Sequence, residues 1–96
     1  LRPSVVKFLD EMLRDKNAPM RIEEVQIAAG SALVGATLRD ADIRGKHGLN
    51  VLAVRPEAGG AWEYNPGPDR ALAVGTTVVV LGSSAQVREL KARAEG

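Results

Sequence analysis

Four consecutive apolar residues, Val51-Leu52-Ala53-Val54, stand directly behind a turn broken by Gly45 and Gly48. The run is too short for a helix and is bounded by turn signals. It reads as a strand over Asn50 to Arg55, covered on both faces and central in its sheet. Ahead of it, Asp42 to His47 carries the end of a short helix and the turn. Behind it, Asn65-Pro66-Gly67-Pro68-Asp69 holds two prolines and a glycine, cannot donate regularly to a ladder, and reads as a rigid exit from a hairpin.

The remaining elements arrange themselves around this strand. Pro3 is preorganised for a first helical turn, and Val5, Phe8, Leu9, Met12 and Leu13 recur at helical spacing through about Asp15. Asn17-Ala18-Pro19 ends that helix. Arg21 to Ala29 alternates, with Val25, Ile27 and Ala29 on one face and Glu24 and Gln26 on the other; Ile22 breaks the alternation and predicts a bulge or a strand start near Glu23. Gly30, Ser31 and Gly35 make a tight connection, and Thr37 is an N-cap for a short helix over Leu38 to Ile43. Pro56 to Gly60 is a hairpin loop returning as a strand over Ala61 to Tyr64. Thr76 to Leu81 is rich in β-branched residues, Gly82 ends it, and Ser83 or Ser84 caps a last helix that buries Val87, Leu90 and Ala94. Helix, strand, short helix, three strands and helix specify an α+β domain: a small, mainly antiparallel or mixed sheet with flanking helices.

Ninety-six residues support one core with little surplus stability, so pairing with a second copy is expected to help. With one Phe, one Trp and one Tyr, that core is built from Val, Leu, Ile and Ala. Thirteen Lys and Arg stand against 12 Asp and Glu, interspersed along the chain, which argues against a nucleic-acid surface. The lack of cysteine excludes disulfides and thiolate chemistry. No apolar run approaches the roughly 18 residues that cross a bilayer. The start at Leu1-Arg2-Pro3, already in a helical pattern, implies a fragment of a longer protein, with residues 1–18 as a connecting and dimerisation helix and 19–96 as the domain proper.

In order and spacing the chain resembles the C-terminal (TrkA-C) subdomain of RCK proteins, regulators of conductance of potassium. The phrases that carry the likeness are Arg2 to Asp10, Ser31-Ala32-Leu33-Val34-Gly35-Ala36-Thr37-Leu38, Ile43-Arg44 through Val54, Asn65 to Asp69, and Leu72 to Gly82. One departure is Gly75-Thr76, where the family usually has Gly-Asp. The resemblance implies a dimeric, cytoplasmic regulatory module that couples ligand binding to the gating of a prokaryotic potassium channel or transporter. It implies a homodimer, an upstream Rossmann subdomain and a membrane channel or transporter subunit as partners. The Rossmann glycine fingerprint is absent from this chain.

Some members of the family bind cyclic di-AMP in a cleft shared by two protomers. The residues here that match that cleft are Leu38, Arg44, Leu49, Asn50 and Pro66. Arg44 suits a charge-assisted contact to phosphate, Asn50 an adenine edge, and Leu38, Leu49 and Pro66 the faces of the base. The competing reading is structural: the leucines fill a dimer core, Asn50 completes strand-end hydrogen bonds, and Arg44 is a surface or interface charge. The same module could also serve a sodium/proton antiporter or an anion or amino-acid exchanger.

Other groups carry less. Lys46 and His47 lie between two glycines, where a turn exposes them; His47 is open to sensing pH, a lone His without Cys does not make a transition-metal site, and a solvated turn histidine is the favoured reading. Asp10-Glu11, Glu23-Glu24 and Asp40 with Asp42 lack the spacing of a calcium loop and read as solvated faces. Trp62 and Tyr64 share a strand face and either cover a sheet edge or stack a partner. The serines fall at turns and caps without a base, so the reading is of a binding module and not of an enzyme.

Overall fold

The computed structural model describes residues 1–96. Helix α1 spans Pro3–Arg14, strand β1 Arg21–Gln26, the short helices α2 and α3 Leu38–Ala41 and Ile43–His47, β2 Asn50–Arg55, β3 Glu63–Tyr64, β4 Thr77–Gly82 and α4 Ser84–Glu95. The four strands form one sheet in the order β1-β4-β2-β3, and every pairing is antiparallel. β4, the β-branched strand, is therefore flanked by both long partners, and β2 also lies inside the sheet.

One face of this sheet is covered. Val25, Val78 and Val54 stand opposite one another across β1, β4 and β2, and together with Val80 they pack under Ile43 of α3 and Val87, Leu90 and Ala94 of α4. Leu33, Leu49 and Leu72 close the same core from the loops. Ser83 accepts a hydrogen bond from the Gln86 amide, and the Gln86 side chain accepts one from the Ser83 amide, so a complete capping box starts α4.

The opposite face is open around Ile22 and Leu52 but covered around Ala53 and Thr77, which point to it and are buried, so the expectation that β2 is covered on both sides holds only at Ala53 and Val54. Ile22 and Leu52 are 43% and 37% exposed there, because α2, α3 and α4 all pack against the other face. Ile22 pairs across to Leu81 on this face, so its apolar side chain needs no bulge; the register of β1 with β4 runs unbroken from Arg21↔Gly82 to Gln26↔Thr77. The irregularity falls in β2 instead, between Val51 and Ala53. β1 also stops at Gln26 and not at Ala29, since the Ile27 amide turns to the Thr76 carbonyl and that of Ala28 to the Ala94 carbonyl of α4. α1 buries none of its residues.

Candidate functional site: a groove at the open edge of β2

The expected single helix from Leu38 to Ile43 is broken in two by Asp42, whose backbone sits in the left-handed region at φ 49°, ψ 47°. Asp tolerates this conformation better than most residues. Its carboxylate then accepts the Gly45 amide at 3.2 Å and caps α3. At the other end of α3, Gly48 is left-handed too, and its amide closes on the Arg44 carbonyl at 2.9 Å. A Cβ at this position would also meet Gln86 Nε2 of α4 at 2.7 Å, so that side chain would have to shift.

The start of α2 is stitched to the proline segment. The Leu38 amide donates to the Arg70 carbonyl and the Arg39 amide to the Pro68 carbonyl, both at 2.9 Å, while Thr37 bridges to Ala71. The hairpin return is far shorter than the Ala61 to Tyr64 strand expected from sequence. β3 pairs only with Ala53 and Val54, and Asn65, at φ 48°, turns the chain away after donating to the Leu52 carbonyl. Two prolines behind it prevent the ladder from continuing. Asn50 and Val51 are left without a neighbouring strand on that side.

A groove of about 430 Å³ opens at this unpaired edge. Leu38, Arg44, Leu49, Asn50 and Pro66 all line it, joined by Arg39, Asp42, Ile43, Val51 and Pro68. Residues 28 positions apart, Leu38 and Pro66, thus share one wall, because the segment behind Pro66 is bonded to α2. Asn50 and Arg44 are exposed, and Leu38 and Pro66 are half-buried. Leu49 is fully buried and forms the floor, pressed against Gly82, where a Cβ would collide with its Cδ2. The Arg44 guanidinium rests on the Gly48 carbonyl at 3.1 Å and is otherwise free to reach a ligand. Arg39 pairs with Asp69 at 2.6 Å on the rim. Guanidinium, primary amide and flat apolar walls together suit a phosphate carrying a planar ring. Arg39 and Pro68 were not singled out from sequence. Pro68 lies in the same proline phrase as Pro66, whereas Arg39 is marked only by its place beside Leu38.

Elsewhere the structure redraws the sequence picture. Lys46 is exposed as expected, but His47 closes α3 with its side chain only 8% exposed, turned toward α4. Trp62 is half-buried with the Arg55 guanidinium 4.4 Å above its ring, and Tyr64 is exposed. No group of three or more His, Asp or Glu side chains comes together in metal-binding geometry.

Residues 22–94 match the family model of the TrkA-C domain, which spans β1 to α4 without a break. The chain belongs to the TrkA-C family. Solved TrkA-C-like structures share its fold. The RCK C domain of the potassium transport protein KtrA, in complex with cyclic di-AMP, superposes with a TM-score of 0.74 at 21% identity, covering 93% of this chain and 94% of that one. The RCK_C domain dimer of S. agalactiae BusR, also in complex with cyclic di-AMP, gives 0.67 at 18% identity over 75% of this chain and 92% of that one. The GsuK RCK domain gives 0.65 at 20% identity, covering 95% of this chain, which spans only 18% of that protein. No curated protein matches the sequence. No helix of this TrkA-C chain is long and apolar enough to cross a membrane.

Proposed function

We propose that this chain is a ligand-sensing regulatory and dimerisation domain whose groove, closed against the same groove of a second copy, takes cyclic di-AMP. The observation that carries the reading is the convergence of Leu38, Arg44, Leu49, Asn50 and Pro66 on one unfilled groove that is open on one side. The groove of about 430 Å³ above Leu49 is roomy enough for a nucleotide ring and its phosphate. Arg39 is paired with Asp69, which leaves Arg44 as the groove's free guanidinium, and two-fold pairing of such grooves sets two of these beside a dianion. The KtrA and BusR domains of the same fold were solved in complex with cyclic di-AMP. In this reading residues 1–18 connect the domain to an upstream Rossmann subdomain, and the assembly controls a potassium channel or transporter from its cytosolic face. Ligand shifts the gate only by its differential affinity for two arrangements of the protomers.

Calorimetric titration of the 96-residue chain with cyclic di-AMP, run beside light scattering, tests the proposal. One nucleotide per two chains is expected. Arg44→Ala removes a charge-assisted contact of about 1.5–3 kcal/mol and lowers affinity by about tenfold or more, and Asn50→Ala weakens binding as well. A folded dimer that evolves no heat would leave an assembly module whose sensing lies elsewhere.

A further inference from the structure

His47 is the one imidazole in the chain, and it does not touch the groove. Its ring lies between α3 and α4. Arg93 of α4 donates through Nη1 to the Ala41 carbonyl at 3.0 Å and meets His47 Nε2 at 2.8 Å. A guanidinium has donors only, so Nε2 must be the acceptor and the ring proton must sit on Nδ1. The arrangement therefore selects the neutral δ tautomer. Nδ1 is buried without a hydrogen-bond partner, and the nearest carboxylate, Glu89, remains 3.7 Å away with its side chain mostly in solvent.

Arg93 and Glu89, both of α4, are the charged groups within reach of the ring. Arg44 and Lys46 of its own helix are exposed, and Asp42, where α2 meets α3, is engaged with Gly45. A proton on Nε2 removes the acceptor Arg93 needs and sets two cations face to face. α3 has only five residues, too few to hold its place without tertiary contacts. Arg44 is on this helix, and both its carbonyl and its guanidinium bond to Gly48, the residue next to His47.

We infer that His47 is a positioning residue: its neutral imidazole, held by Arg93, keeps α3 and the groove's Arg44 in place, so that acidification weakens ligand binding. This rests on the cyclic di-AMP reading above. The added charge by itself would favour an anion, so a wild-type affinity that rises on acidification overturns the inference. By linkage, ligand binding in turn disfavours the protonated ring.

The test compares the wild-type chain with His47→Gln, whose amide oxygen can accept from Arg93 but does not titrate, from about pH 8 to about pH 5. Wild-type affinity for cyclic di-AMP is expected to fall about fivefold or more relative to the variant, and the side-chain Nε–H NMR signals of Arg44 and Arg93 in the free chain should move with His47 protonation. Equal pH profiles for the two proteins would overturn the inference. If cyclic di-AMP does not bind even at the alkaline end, the functional reading fails, and the NMR titration of the free chain decides this inference by itself: signals of Arg44 that stay still while His47 titrates refute it.

Discussion

Asp42 does two things that few residues combine: it holds a left-handed backbone and caps α3 with its carboxylate. Asp42→Asn preserves both and should leave the thermal midpoint within the change expected of about 0.5 kcal/mol. Asp42→Ala loses the cap and puts a Cβ without local hydrogen bonding into the left-handed region, at a combined cost of about 1–3 kcal/mol. For a domain of this size that lowers the midpoint by several degrees, about 4–8 °C for each kcal/mol, as circular dichroism would register. Equal midpoints for the two variants would show that the cap contributes nothing. The break at Asp42 could not be read from the sequence, because Asp is a poor marker of the left-handed region compared with glycine. The burial of His47 was equally hidden, since it depends on Arg93, 46 positions away, and flanking glycines signal a turn whatever packs against it.

At the scale of elements, the sequence was most legible where local chemistry and packing agree. The last helix has a serine cap and its buried Val87, Leu90 and Ala94 written in order, and these stand as expected, with Ser83 and not Ser84 as the cap and Gln86 completing the box. Ser83→Ala removes the capping box and should cost about 1 kcal/mol, seen as a lower thermal midpoint with unchanged helix content below the transition. A midpoint that does not move would mean the box is redundant with the packing of α4. The apolar run of β2 was read correctly as an interior strand, but it is covered on both sides only at Ala53 and Val54, with Leu52 left exposed. Periodicity registers that alternation is absent; it does not register what, if anything, lies over each face. The groove was legible only in part: its residues could be collected from the family likeness, but that β3 would stop after two residues and leave Asn50 and Val51 unpaired is a matter of where Asn65 turns.

For the molecule as a whole, the division is between a body, residues 21–96, and a helix that buries nothing against it. Removing residues 1–18 should therefore leave the thermal midpoint of the body nearly where it was, measured at concentrations low enough that association does not contribute. A loss of more than about 1 kcal/mol would mean that α1 shields part of the body. The open part of the outer sheet face, at Ile22 and Leu52, and the apolar stripe of α1, with Val5, Phe8 and Leu13 exposed, are both surfaces that the isolated chain leaves in water.

That α1 rests on no core of its own has a mechanical meaning. A helix of 12 residues that buries nothing against the body draws little of its stability from it. A change in the groove can therefore reach α1 only through the joint at residues 15–20, as a shift in where the helix stands and not in how well it is folded.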